Sequence, residues 1–364
     1  MPSIISVSTY HPPYVLSQEV TREFAKQLFS QSFKDIGRML AVFHNGEIEK
    51  RHFAVPLEWF IEEHSFAEKN ELYIEYATKF SINVIDACLK NEAFLREEVR
   101  YEDIDAIFFI SSTGIATPTI EARVMNELPF LETTKRIPLW GLGCAGGAGG
   151  ISRAYEYCLA YPRAKVLVVC VELCSLTFQK NDHSKSNIIG TSLFADGAAC
   201  VLVAGDEANI GQLSKEETNV HIVKTGSYLL RNSLDVMGWD IRDDGWYVVF
   251  SRFIPHYIET WLKPAVEKFM PEEVSLEDIR YFIFHPGGKK ILDAYERVFS
   301  LEKDTLKNAR DVLKNYGNMS SQTVLYVLHE CLKETRQAGA YGLMGALGPG
   351  FSSELLLLEW RLTS

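Results

Sequence analysis

Two distant stretches of the chain read almost alike. Glu102-Asp103-Ile104-Asp105-Ala106-Ile107-Phe108-Phe109-Ile110 and Glu277-Asp278-Ile279-Arg280-Tyr281-Phe282-Ile283-Phe284-His285 each open on a polar lead-in and run on as an apolar strand. Each is followed by a second strand–turn–helix pattern that carries a special residue, Cys144 in the first case and Asn318 in the second. A repeated order of this kind restricts the chain to two similar α/β halves. The seam falls between Ala204 and Asn219, where Gly205 to Asn209 is turn-like and Lys215 to Asn219 is polar. The halves are then residues 1–210 and 211–364. Uninterrupted apolar runs at Ala164–Val171, Ala198–Val203 and Glu354–Trp360 predict strands buried on both faces, with helices covering both sides. The stretch up to Lys79 reads as mixed helix and loop.

The 364 residues suffice for one large core or two ordinary ones. A net charge of -11 argues against nucleic acid or an anionic membrane as the main partner. An anionic small molecule needs only a local basic rim and stays open. The seven cysteines are scattered, without a Cys-x-x-Cys pair, and Cys170 and Cys174 have no neighbours at zinc-like spacing, so no metal site is read. Met1-Pro2-Ser3-Ile4-Ile5-Ser6 lacks the basic and long apolar regions of a signal peptide, and no apolar run reaches a membrane span. The expected compartment is reducing cytoplasm.

Cys144 stands in Gly141-Leu142-Gly143-Cys144-Ala145-Gly146-Gly147-Ala148-Gly149-Gly150, after an apolar run and before a helical one. A thiol at a helix N-terminus sits at the positive end of the backbone dipole, which favours thiolate. The same residues also suit a buried structural cysteine in a Gly-rich turn. His285 ends an apolar strand in Phe284-His285-Pro286-Gly287-Gly288. Asn318 lies in Tyr316-Gly317-Asn318-Met319-Ser320-Ser321, ahead of a helical pattern that it also suits as an N-cap. Together they supply a nucleophile, a proton partner and an amide donor.

With these motifs in view, the chain resembles the type III polyketide synthases of the chalcone and stilbene synthase superfamily. It most resembles the bacterial branch that makes alkylpyrones or alkylresorcinols. The matching motifs are Gly143-Cys144-Ala145-Gly146-Gly147, Leu193-Phe194-Ala195-Asp196-Gly197-Ala198-Ala199, His285-Pro286-Gly287-Gly288, Tyr316 to Ser321 and Leu347-Gly348-Pro349-Gly350. The resemblance implies a thiolase fold, with duplicated α/β halves in a layered αβαβα core, and a homodimer. It places the catalytic Cys, His and Asn on Cys144, His285 and Asn318, and a gatekeeper phenylalanine on Phe194. A second gatekeeper position falls on Val248, where plant relatives carry Phe, and Ala346-Leu347 stands where Gly-Phe is usual. Further pocket positions fall on Ser112, Thr113, Thr177, Ser320, Leu347, Gly348 and Pro349. Thr117 takes a position that often reaches across the dimer. Cations for the coenzyme A phosphates are sought at Arg38, Lys50, Arg51, Lys289 and Lys290.

The implied chemistry is acyl transfer to Cys144, decarboxylation of malonyl-CoA, and Claisen condensation. His285 and the Asn318 amide hold the enolate oxygen, and no metal or redox cofactor is required. Fatty acyl-CoA starters and alkylpyrone products are expected, with resorcinols next. Asp196-Gly197 reads as a turn. A degradative thiolase would need a second cysteine near the C-terminus, and 339–364 contains none. An initiating ketoacyl carrier-protein synthase would carry His-Gln-Ala-Asn where this chain has His285-Pro286-Gly287-Gly288. A catalytically silent acyl-binding protein would be expected to lack one of the three catalytic residues.

Overall fold

A computed structural model describes residues 1–30, 36–302, 304–334 and 337–362. Its centre is a nine-stranded sheet in the order β11 (Ile279–Phe284), β12 (Tyr341–Gly348), β13 (Ser352–Leu362), β8 (Thr218–Leu229), β1 (Ser3–Tyr10), β7 (Asp196–Ala204), β6 (Lys165–Leu173), β4 (Ala106–Ser111) and β5 (Lys135–Trp140). Strands β1 and β8 join its two parts through a short ladder, Ser3 opposite His221 and Ile4 opposite Val220. Two small ribbons flank it: β2 (Tyr14–Ser17) with β3 (Lys50–Phe53), and β9 (Met237–Arg242) with β10 (Gly245–Phe250).

The apolar runs behave as period-2 strands buried twice over. In β6, Val166, Val168 and Cys170 enter one core while Leu167, Val169 and Val171 enter another. In β7, Ala199, Val201 and Val203 face the first core and Ala198, Cys200 and Leu202 the second.

Helices fill three layers. The helices α1 (Gln18–Phe29), α2 (Ile36–Asn45), α3 (Phe66–Leu89) and α4 (Ile120–Glu127) lie in the N-terminal half. Of these, α3 covers the outer face of β1, β7 and β6 with Tyr73, Ala77, Phe80 and Val84. A capping box starts it: Ser65 accepts from Glu68 N, and the Glu68 carboxylate accepts from Ser65 N. Such a cap stabilises a helix by ~1 kcal/mol. The middle layer is α5 (Gly146–Ala160), which touches strands of both parts of the sheet, together with α12 (Thr323–Glu334). Between these in sequence come α6 (Lys185–Leu193), α7 (Ile210–Leu213), α8 (Ile254–Tyr257), α9 (Lys263–Phe269), α10 (Lys289–Phe299) and α11 (Lys307–Tyr316). Ile254, Ile258, Leu262, Val266 and Phe269 bury the far side of the second part. The layering is therefore αβαβα.

The echo is real at the level of elements. Each polar lead-in is a 3-10 turn, Tyr101–Asp103 or Leu276–Asp278, that feeds β4 or β11. Two expectations need correction. The element before Asn318 is a helix, α11, with Ala309, Val312 and Leu313 buried at helical spacing, not a strand. The N-terminal stretch opens on a buried central strand. Its serines disguised it: Ser6 Oγ donates to the Cys88 carbonyl and Ser3 Oγ bonds His221 Nδ1, so polar residues sit where an apolar pattern was sought. Among the described residues, no helix is long and apolar enough to cross a membrane.

Candidate active site

Strand β5 ends at Trp140, and the chain then reverses through Gly141 (φ +89°) and Gly143 (φ +49°). Gly143 has left-handed backbone, and a Cβ there would stand 2.7 Å from Pro349 Cδ. Gly143 N donates to Ser112 Oγ (3.1 Å). Cys144 follows in a 3-10 turn, Gly143–Ala145, that leads into α5. The first turn of α5 packs against the loop after Asn318 so closely that a Cβ on Gly147 would lie 2.2 Å from the Ser321 carbonyl oxygen. That contact is why glycine is required, and it brings the two motifs together.

Cys144 Sγ lies 3.9 Å from Asn318 Oδ1. The amide is oriented by its neighbour: Ser320 N donates to Asn318 Oδ1 at 2.8 Å, which leaves the Nδ2 hydrogens as the donors on offer. Ser320 holds φ +61°, a strained value for a non-glycine residue. The backbone of Asn318 is pinned on both sides, Asn318 N donating to Leu193 O and Ala195 N donating to Asn318 O, each at 2.9 Å. Phe194 is thereby bridged directly to Asn318.

His285 directly follows β11, and its backbone N donates to Gly345 O of β12. Three residues on, Gly348 packs on Leu142 and Ala145, so β12 carries the histidine to the end of the sheet where Cys144 sits. The imidazole is 2 % exposed, and neither ring nitrogen has a hydrogen-bond partner among the described residues. Burial pushes His285 down to about 3 and the Cys144 thiol up to about 12, because desolvation penalises the charged form of each.

A residue that the sequence reading missed organises this end. Glu172, fully buried at the end of β6, accepts from Ser112 N (2.8 Å), Thr113 Oγ1 (2.9 Å) and Ser111 Oγ (3.3 Å) through Oε2, and from Ser320 Oγ (3.4 Å) through Oε1. Burial raises it to about 7 against those bonds. An acid closing an uninterrupted apolar strand was the signal available. Asp196 is a second buried acid, not a turn residue. It opens β7 and accepts from Ala54 N and from Ser175 N and Oγ.

Phe194 lines a small, largely apolar cavity of about 60 Å³. Of the expected pocket residues, Thr177, Phe194 and Val248 line it, with Leu16, Phe24, Phe53, Phe60, Cys174, Phe178 and Trp239. Phe194 stacks on Phe250 at 5.5 Å, and Val248 faces Gly190. Ser112, Thr113 and Ser320 belong instead to the Glu172 network. Gly348 and Pro349 close over the Cys144 turn, Leu347 is buried just before them, and Thr117 is exposed at the surface.

The basic candidates separate. Lys50 is exposed on β3, but Arg51, one residue on, points to the opposite face and is 1 % exposed. Arg51 is thus not a rim cation. Its Nη1 donates to Thr191 O and Phe194 O. Lys289 is tied to Glu47 (2.9 Å) and Asp293 (3.2 Å), while Lys290 is exposed at the start of α10. The side chain of Arg38 lies outside the described residues. Among the described residues, no group of three or more His, Cys, Asp or Glu is placed to hold a metal.

The N- and C-terminal domains of chalcone and stilbene synthases match residues 3–207 and 221–360. The chain is 51% identical to the putative chalcone synthase of Bacillus subtilis, over 99% of both chains. It is 30% identical to the 1,3,6,8-tetrahydroxynaphthalene synthase of Streptomyces coelicolor, over 99% of this chain and 93% of that one. A crystal structure of that synthase, a bacterial type III polyketide synthase, matches with a TM-score of 0.90 at 29% identity, covering 99% of this chain and 100% of the other. An alpha-pyrone synthesis polyketide synthase-like protein of Mycobacterium tuberculosis is 27% identical over 93% of this chain and 87% of its own length.

Proposed function

The chain belongs to the chalcone and stilbene synthase family and is a condensing transferase, a type III polyketide synthase, and from that membership we propose that it extends fatty acyl-CoA starters with malonyl-CoA to release alkylpyrones. Aldol closure to alkylresorcinols is the alternative ending. The observation that carries the reading is the placement of Cys144 against the oriented Asn318 amide, with an apolar cavity lined by the adjacent Phe194. The aromatic and aliphatic lining suits a hydrocarbon chain, and Val248 leaves room that an aromatic residue would fill.

In the proposed mechanism Cys144 gives its proton to His285 as its sulfur attacks the starter thioester. The carbon–sulfur bond to coenzyme A breaks, the coenzyme A sulfur leaves with the proton from His285, and the acyl group stays on Cys144. Malonyl-CoA then loses carbon dioxide, and the electron pair of the broken bond becomes an enolate. Its oxygen is held by Asn318 Nδ2 and His285. The enolate carbon attacks the Cys144 thioester, a carbon–carbon bond forms, and the sulfur leaves. The lengthened chain is now a coenzyme A thioester and returns to Cys144 for the next round. None of these steps calls for a metal or redox cofactor. We assign the coenzyme A phosphates to the exposed Lys50 and Lys290 with Arg38, and a homodimer contact to the exposed surface around Ile115 and Thr117.

The test is mass spectrometry of products from purified protein given malonyl-CoA and acyl-CoAs of graded length, beside Cys144→Ala. Long alkyl pyrones that vanish in the variant support the reading. Extension only from a carrier-protein thioester would overturn it.

A further inference from the structure

Three large apolar side chains stand out into water at one end of the second half. Leu234 is 85 % exposed, Leu229 63 % and Phe253 51 %. Single exposed apolar residues are ordinary, but the backbone gathers these three. Ser251 N donates to Val236 O at 2.8 Å, which holds the segment of Phe253 beside that of Leu234. Leu229 ends β8, and the N–H of the next residue, Leu230, donates to Phe351 O. The loop between is laced down by Ser233, whose buried Oγ accepts from Phe351 N at 2.6 Å and donates to Leu230 O. Two cations sit among them. Arg231 and Arg252 are exposed, Arg252 lies over the Phe253 ring at 4.9 Å, and neither forms an ion pair among the described residues. The single acid within 229–236 and 250–256 is Asp235. Asp240, Asp243 and Asp244 belong to the far end of the β9–β10 ribbon, roughly 17 Å away at a rise of 3.4 Å per residue.

We propose that this patch docks the enzyme on a lipid surface, with Leu229, Leu234 and Phe253 entering the headgroup boundary and Arg231 and Arg252 holding anionic headgroups. Apolar side chains edged by arginines make an interfacial anchor, because the cations stay among the headgroups while their stems lie on apolar neighbours. The chain as a whole carries -11, so the attraction is confined to this patch. A protein partner fits less well. Three side chains of on the order of 200 Å² or less offer far below the ~800 Å² that each partner buries in a standard interface. The position gives the docking a use. The segment 229–234 is bonded to Phe351, two residues from Pro349, which closes over the Cys144 turn. That use rests on the reading that the starter is a fatty acyl thioester, an amphiphile that partitions into lipid, whereas the docking itself does not need it.

The experiment is cosedimentation of the purified protein with sucrose-loaded vesicles, in the absence of acyl-CoA. One set is phosphatidylcholine alone, and the other is phosphatidylcholine mixed with an equal part of phosphatidylglycerol. Binding to the mixed vesicles is expected, weaker to the neutral ones, and falling as salt is added. Arg231→Glu combined with Arg252→Glu should lower the partition coefficient on mixed vesicles ~10-fold or more, since each cation near such a surface counts several-fold. Leu234→Ser combined with Phe253→Ser should lower it on both kinds. All four residues are exposed, so both variants should keep the parent's Tm and its turnover of a short, freely soluble acyl-CoA. No pelleting with either vesicle, or equal pelleting of parent and variants, overturns the proposal. So does a mass by light scattering that rises with protein concentration and falls in the Leu234→Ser, Phe253→Ser protein, which would make the patch a contact between copies. Vesicle binding by a protein that turns over no acyl-CoA would uphold the docking and remove the condensing reading. Normal pyrone formation without vesicle binding would remove the docking alone.

Discussion

Glu172→Gln tests the electrostatics of the site through stability. The Glu172 carboxyl lies at about 7 in the folded protein against an ordinary 4.5, because burial penalises its charged form. A carboxyl raised by folding stabilises the fold fully below pH 4.5, and that contribution is lost as pH rises through 7. The gap between 4.5 and about 7, at 1.36 kcal/mol per pKa unit, corresponds to ~3 kcal/mol. Glutamine copies the protonated acid. Its carbonyl can keep the bonds from Ser112 N and Thr113 Oγ1, and its NH2 can donate to Ser320 Oγ, whose hydroxyl rotates to accept. The variant should match the parent near pH 4.5 and exceed it by ~3 kcal/mol at pH 8. With an unfolding entropy of roughly 2.1 cal/mol/K per residue over 364 residues, that is a Tm difference of ~4 °C. Calorimetric scans of both proteins from pH 5 to pH 8, at one scan rate, measure it. Asp196, raised to about 6 by burial, tilts both curves equally and cancels in the difference. Parallel curves at every pH would refute the account of Glu172 as a carboxyl held near neutrality.

Asn318→Ala should lower kcat for condensation by ~100- to 1000-fold, while intact-protein mass spectrometry still finds the acyl group on Cys144. Val248→Phe, opposite Gly190 at the cavity wall, should move the preferred starter to shorter acyl chains in a competition among acyl-CoAs. Gly147→Ala, whose added Cβ meets the Ser321 carbonyl oxygen at 2.2 Å, should destabilise by ~1–3 kcal/mol in urea unfolding and cut activity, because the loop that moves carries Asn318. Lys50→Glu combined with Lys290→Glu should raise KM for malonyl-CoA and leave kcat nearly unchanged.

Cys144, His285 and Asn318 were legible as candidates because each stands where a regular element begins or ends, next to glycines that a close approach demands. The two apolar strands of the echo were legible because apolar residues dominate both, although Arg280 is exposed within the second. Strand β1 was not, since Ser3, Ser6 and Ser8 satisfy their hydroxyls within the fold and look like surface in one dimension. Glu172 hid because a single acid after an apolar run resembles a strand end in solvent, and only the loops of 111–113 and 320 reveal its partners. Arg51 was misplaced beside Lys50 because adjacency in sequence says nothing of the face on which a strand residue lands.

The bridge between Phe194 and Asn318 ties two properties of the enzyme to one frame. In the proposed mechanism substrate range is set by the aperture at Phe194, and rate by where the Asn318 amide points. A backbone shift that widens the first displaces the second. New starter specificities therefore arise with least loss of rate from side chains that border the aperture without belonging to its frame, such as Val248 and Trp239. Within the family, diversification of products should accumulate on the β9–β10 ribbon and spare the segment from Leu193 to Ala195.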